Sequence, residues 1–259
     1  MTVLYAVFRF LVFALLLLVV GGAVALSYPL RAAAANLRVR LFTPLAVWAA
    51  MLTLAALGSV VLQGAKAGGF GLGEAARWDS VRAVLETRFG KVALAQAALG
   101  LAIGAIALAA RRGREPLHVA LLVVAAALLP TPSLAGHAHV RGGLALVSDV
   151  VHVASAAVWT GALAFVVAAL LAAGTQRWPL AARAVPRFSN VAVVAVGALI
   201  VSGSINGYEE VGAWHGLWDT TYGLLLLAKI ALVLPLLAFG AYNNRYAVPR
   251  LKRQIASPS

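Results

Sequence analysis

Long apolar runs, nearly free of charge, recur along this chain, each about as long as a helix must be to cross lipid. A spanning helix needs about 20 such residues. Seven runs qualify, at 3–26, 43–63, 90–110, 116–134, 144–173, 188–206 and 222–243. Only 11% of the 259 residues are charged, and they gather between the runs. A soluble fold would need more charge to cover its surface. The expected fold is therefore all-α: a single polytopic transmembrane bundle over 1–259, with the lipid bilayer as its solvent. The fourth run ends in Leu129-Pro130-Thr131-Pro132, which predicts a broken outer end. The fifth is the longest and is expected to tilt or project beyond the membrane.

Orientation follows from the loops. Arg31, Arg38 and Arg40 fill the first, Arg111, Arg112 and Arg114 the third, and Arg177, Arg183 and Arg187 the fifth. The tail adds Arg245, Arg250, Lys252 and Arg253, whereas the loop 207–221 holds Glu209, Glu210 and Asp219 and no Lys or Arg. The positive-inside bias then predicts an N-terminus outside and a C-terminus inside, in a cytoplasmic (inner) membrane. It also accounts for the net charge of +13 better than nucleic acid does, because no continuous basic face exists. A cleaved signal peptide ending at Ala23-Val24-Ala25 is the rival reading of the first run. The arginines that follow would then have to be translocated, so retention is expected. The extracytoplasmic loop 64–89 joins a glycine-rich stretch, Gly68 to Gly73, to a segment from Glu74 to Leu85 that reads as a short amphipathic surface helix.

Short echoes link the two ends of the chain. Gly58-Ser59-Val60 resembles Gly203-Ser204-Ile205, and Thr87-Arg88-Phe89-Gly90 resembles Thr220-Thr221-Tyr222-Gly223, with Gln96 matching Lys229. Spans 2–3 and 6–7 thus read as two copies of one helical hairpin, an arrangement met in transport folds.

Ionisable groups at membrane depth are costly and need a reason. Asp149 and His152 stand three residues apart, hence on one helix face, with Ser148, Ser155 and Trp159 near it. At 1.5 Å per residue His152 lies about 12 Å into its span. A neutral imidazole ligates a metal, and a neighbouring carboxylate ligates it too or orients the ring. A buried Asp–His hydrogen bond that only packs the bundle is the plainer reading. His137 and His139 precede this span in Gly136-His137-Ala138-His139, and His215 lies in the acidic outer loop. Lys229 sits about 10 Å into the last span and is expected to face the interior and pair with Asp149 or the outer loop ends. Arg9, near the outer end of the first span, reads as snorkelling. The chain has no cysteine and two methionines, which removes disulfides, Fe–S clusters and thiolate sites and leaves no methionine-lined Cu(I) path. No nucleophile elbow, Walker loop or dinucleotide fingerprint occurs, so no enzyme is indicated.

The run Gly136-His137-Ala138, Asp149-x-x-His152, Trp159-Thr160-Gly161, Arg187-Phe188-Ser189, Ser202-Gly203, Tyr222-Gly223 with Lys229, and Asn244-Arg245 resembles the copper resistance D (CopD) family of bacterial inner-membrane proteins. The likeness is strongest over 130–250 and extends from about 40. It implies copper uptake across the cytoplasmic membrane beside a periplasmic copper-binding partner of the CopC type. On this reading His137, His139, Asp149 and His152 bind a copper ion, Cu(I) or Cu(II) being open. Trp159, Asn206, Glu209, His215, Tyr222 and Lys229 then line the path or support the ligands. Two alternatives stay open. One is a haem-binding electron-transfer protein using His152 with a loop histidine. The other is a non-transporting copper assembly factor for a membrane oxidase.

Overall fold

The computed structural model of the protein describes residues 2–69, 71–111, 117–136, 142–213, 215–250 and 253. Among them no strand occurs, and seven helical stretches are long and apolar enough to cross a membrane. In chain order the helices are α1 (Thr2–Ser27), α2 (Ala35–Gly68), α3 (Leu72–Ala75), α4 (Trp78–Glu86), α5 (Arg88–Ala110), α6 (Leu117–Leu128), α7 (Thr131–Ala135), α8 (Gly143–Ala156), α9 (Ala162–Ala172), α10 (Arg177–Val211), α11 (Gly216–Asp219) and α12 (Thr221–Tyr242). The expected break in the fourth span falls between α6 and α7, at Leu129 and Pro130. The segment read as a surface helix forms α3 and α4.

Two spans run longer than the apolar runs suggest. α2 begins at Ala35 and α10 at Arg177, so their basic first turns are already helical. At 34 and 35 residues each is about 50 Å long, more than the ~30 Å hydrocarbon core. Helix continues beyond the hydrocarbon because it satisfies the backbone wherever charged side chains can reach water.

α1 is apolar on every side and lies at the centre of the bundle, as such a helix should. It packs on α2, α6, α9 and the turn before α9, with Leu16, Val19, Ala23 and Leu26 completely buried. Its N-terminal half leaves Val3 and Phe10 exposed. α2 and α5 form the tightest pair. At Gly100 a Cβ would lie 2.6 Å from Thr53 Oγ1, so only glycine admits that approach. Thr53 Oγ1 shares its hydrogen between Ala49 O at 3.0 Å and, across the interface, Ala97 O at 3.2 Å. Close backbones and shared hydroxyls are how helices associate where lipid removes the hydrophobic drive.

The fifth span is not one α-helix. Between α8 and α9 the residues Ala157–Gly161 form a π-helical turn, which apolar composition could not announce. That turn presses against α1: a Cβ on Gly161 would collide with the Leu17 carbonyl, and one on Gly21 with the Gly161 backbone.

α5 and α12 start alike. Thr87 Oγ1 accepts from Gly90 N at 3.2 Å, and Thr220 Oγ1 accepts from Gly223 N at 2.9 Å. Each glycine abuts a carbonyl of the preceding short helix, Val84 O in one case and Gly216 O in the other. Thr87→Ala and Thr220→Ala are each expected to cost about 1 kcal/mol through loss of the N-cap. Hydrogen exchange at Gly90 and Gly223 checks this, and protection equal to wild type would refute it. Beyond these starts the two helices differ. α5 is buried along one face, whereas Gly223 is the one buried residue of α12.

Candidate functional site

α12 stands away from α10, and the gap between them, closed on its third side by α8, is a cleft of about 790 Å³. Its apolar part is lined by Leu199 and Ile200 of α10 and by Leu226, Ile230 and Val233 of α12. Its polar part gathers Asp149, His152, Asn206, Glu209, Tyr222 and Lys229. A mostly apolar hollow with a few convergent polar groups is the usual form of a ligand site.

Helix geometry explains the α8 side. Ala145, Asp149 and His152 fall on one stripe of α8 and all reach the cleft, while Ser148 and Ser155 turn into the protein and are buried. The His152 ring packs on α10 because position 203 is glycine: a Cβ there would lie 3.0 Å from Cε1 and 3.4 Å from Nδ1. Its Nδ1 lies 3.2 Å from Ser202 Oγ. Ser148 Oγ donates to Ser202 O at 3.1 Å, a second tie between α8 and α10. Gly203→Ala keeps the helix but asks the ring to give way by a few tenths of an ångström; Gly203→Leu is expected to expel it from α10. A difference in the His152 ring signal between these variants would be seen by NMR. An unshifted ring in Gly203→Leu would contradict the packing.

The expected Asp149–Lys229 ion pair is not formed: neither side chain has an ionic partner within 4.0 Å among the described residues. The reason is the open cleft, which holds α12 off α8. Lys229 does line the cleft, as do Asn206, Glu209 and Tyr222. Trp159 does not line it; the side chain belongs to the π-turn and packs on the apolar core around α1. His215 stands just before α11, with no side-chain capping bond, and is also absent from the lining. His137 and His139 lie outside the described residues. Among the described residues no three His, Asp or Glu side chains come together as a metal cage. From α8, among the described residues, one carboxylate and one imidazole reach the cleft, those of Asp149 and His152.

Ser202 is the contributor that spacing alone could not reveal. It is 2% exposed, and its partner His152 lies 50 positions away. The residue pair Ser202-Gly203 was visible in the sequence, but nothing local says that one hydroxyl meets an imidazole.

Sequence profiles match at both ends of the chain. That of the copper resistance protein D-like N-terminal domain matches residues 1–147, and that of copper resistance protein D matches 182–259. The first alone covers more than half of the chain. The chain belongs to the copper resistance protein D family. Copper transport protein CutJ of Bacillus subtilis (strain 168) is 33% identical over 204 residues, covering 75% of this chain and 37% of that protein. The chain thus spans little more than a third of the length of this relative. No solved structure matches it. Membership and seven apolar helices together make this a multi-pass membrane protein of a copper-handling family. Of the cleft residues, Asn206, Glu209, Tyr222 and Lys229 fall inside a matched stretch, whereas Asp149 and His152 fall between the two.

Proposed function

We propose that the protein takes up copper from outside the cytoplasmic membrane and passes it inward through the cleft between α8, α10 and α12. The observation that carries this reading is the convergence of Asp149, His152 and Lys229 on one hollow of a copper-family chain. Glu209 and Glu210 line the same hollow and concentrate cations at its mouth. Asp149 and His152 supply one carboxylate and one imidazole, donors that suit copper better than a hard cation such as magnesium. The sequence offers His137 and His139, just before this span, as further imidazole donors. Two fixed donors are enough for a cargo ion, since conduction needs binding that is favourable to start and weak enough to end. Lys229 opposes a second cation in the cleft and lets the ion move on. The arginine-rich loops put the N-terminus outside and the C-terminus inside, so the mouth faces a periplasmic copper-binding partner of the CopC type.

Purified protein in sealed vesicles tests this. Copper uptake above that of empty vesicles is expected, reduced in Asp149→Asn and in His152→Ala. Binding without uptake would favour the assembly-factor reading, and a Soret band in the purified protein would favour haem.

A further inference from the structure

The hydrogen bonds around Ser202 decide which nitrogen of His152 is available. A serine hydroxyl has one hydrogen and two lone pairs, and a carbonyl can only accept. Ser202 Oγ lies 2.6 Å from Ala198 O and 3.4 Å from Leu199 O, so its hydrogen is committed to the α10 backbone. Toward His152 Nδ1, at 3.2 Å, the same oxygen has only lone pairs to offer. The contact is a hydrogen bond only if Nδ1 carries the proton. Ser202 is 2% exposed, and Ser148 ties its backbone carbonyl to α8.

The geometry points to Ser202 as a positioning residue that holds neutral His152 in its Nδ1–H form and leaves the Nε2 lone pair for copper in the cleft. This rests on the copper reading above for the identity of the ligand, but not for the state of the ring. The logic is that of metal-binding imidazoles generally, in which the partner of one nitrogen fixes the other as the donor. No sulfur or second imidazole is needed to orient the ring; a serine on the neighbouring span does it, with Gly203 clearing the space.

Nitrogen-15 NMR of protein labelled at histidine tests it without copper, His152 being identified by the signals missing from His152→Ala. Wild type is expected to show a protonated Nδ1 and an unprotonated Nε2. Ser202→Ala should mix the two neutral forms and weaken copper binding about 10- to 100-fold, whereas Ser202→Thr, which keeps the hydroxyl, should restore both. The fold survives Ser202→Ala because the Ser148 bond goes to the backbone of residue 202. An Nε2-protonated or doubly protonated ring in wild type, or a ring state and affinity unchanged in Ser202→Ala, would overturn the assignment. An Nδ1–H ring in a protein that binds no copper would instead sink the copper reading, so the two failures are distinguishable.

Discussion

His152→Ala is expected to lower the copper affinity of the purified protein by at least about 100-fold, more than loss of a residue that merely orients a ligand. His152 is the one imidazole among the described residues that lines the cleft, and it is anchored to α10 through Ser202. Removing it leaves Asp149 as the single short-range donor on α8, and a lone carboxylate is a poor copper site. Asp149→Asn should be milder, because the amide oxygen still coordinates. Equilibrium dialysis at fixed pH reads both, and an affinity unchanged in His152→Ala would remove this cleft from consideration. His118 is the natural control. It sits on α6 against Phe42, ring centroids 5.9 Å apart, and is no part of the lining, so His118→Ala should bind copper as wild type does.

The largest effect on stability is expected at the crossing of α1 with the π-turn. Gly161→Leu puts a branched side chain where even a Cβ would meet the Leu17 carbonyl. The backbone of a packed span cannot yield as a flexible side-chain tip can, so the two elements must part. Overpacking costs about 1–3 kcal/mol, and this site should lie at the upper end or beyond it. Because α1 is the central helix, the loss would appear as a lower midpoint of thermal aggregation in detergent. Gly197→Leu gives the matched control, since nothing lies within 4 Å of a Cβ there. Equal midpoints for the two variants would show that the crossing contributes little.

The spans were legible because lipid imposes a simple rule of length and polarity, and all seven were found where the apolar runs lie. The break after α6 was legible for the same kind of reason, since Pro130 and Pro132 remove backbone donors. The π-turn was not, because Trp159-Thr160-Gly161 is as compatible with an α-helix as with a widened one; the helix it packs on, α1, is far away in sequence. The approach of Asp149 and His152 to the same hollow as Lys229 could be read from helix periodicity and depth. Their failure to pair could not, because it depends on how far α12 stands from α10. Leu226, Ile230 and Val233 announce only an apolar face, not its neighbour. Ser202 was hidden by the same limit: its role is a tertiary contact, and neither residue type nor spacing encodes it.

Among the described residues α12 buries Gly223 alone and leaves most of its other side chains exposed, which has a practical meaning. The width of the cleft is set by whatever fluid surrounds this helix, so the bilayer acts as one of its walls. Extraction into micelles exchanges that wall for another of different lateral pressure. Distances measured across the hollow in detergent will therefore report the amphiphile as well as the polypeptide, and nanodiscs are the setting that keeps a bilayer as that wall.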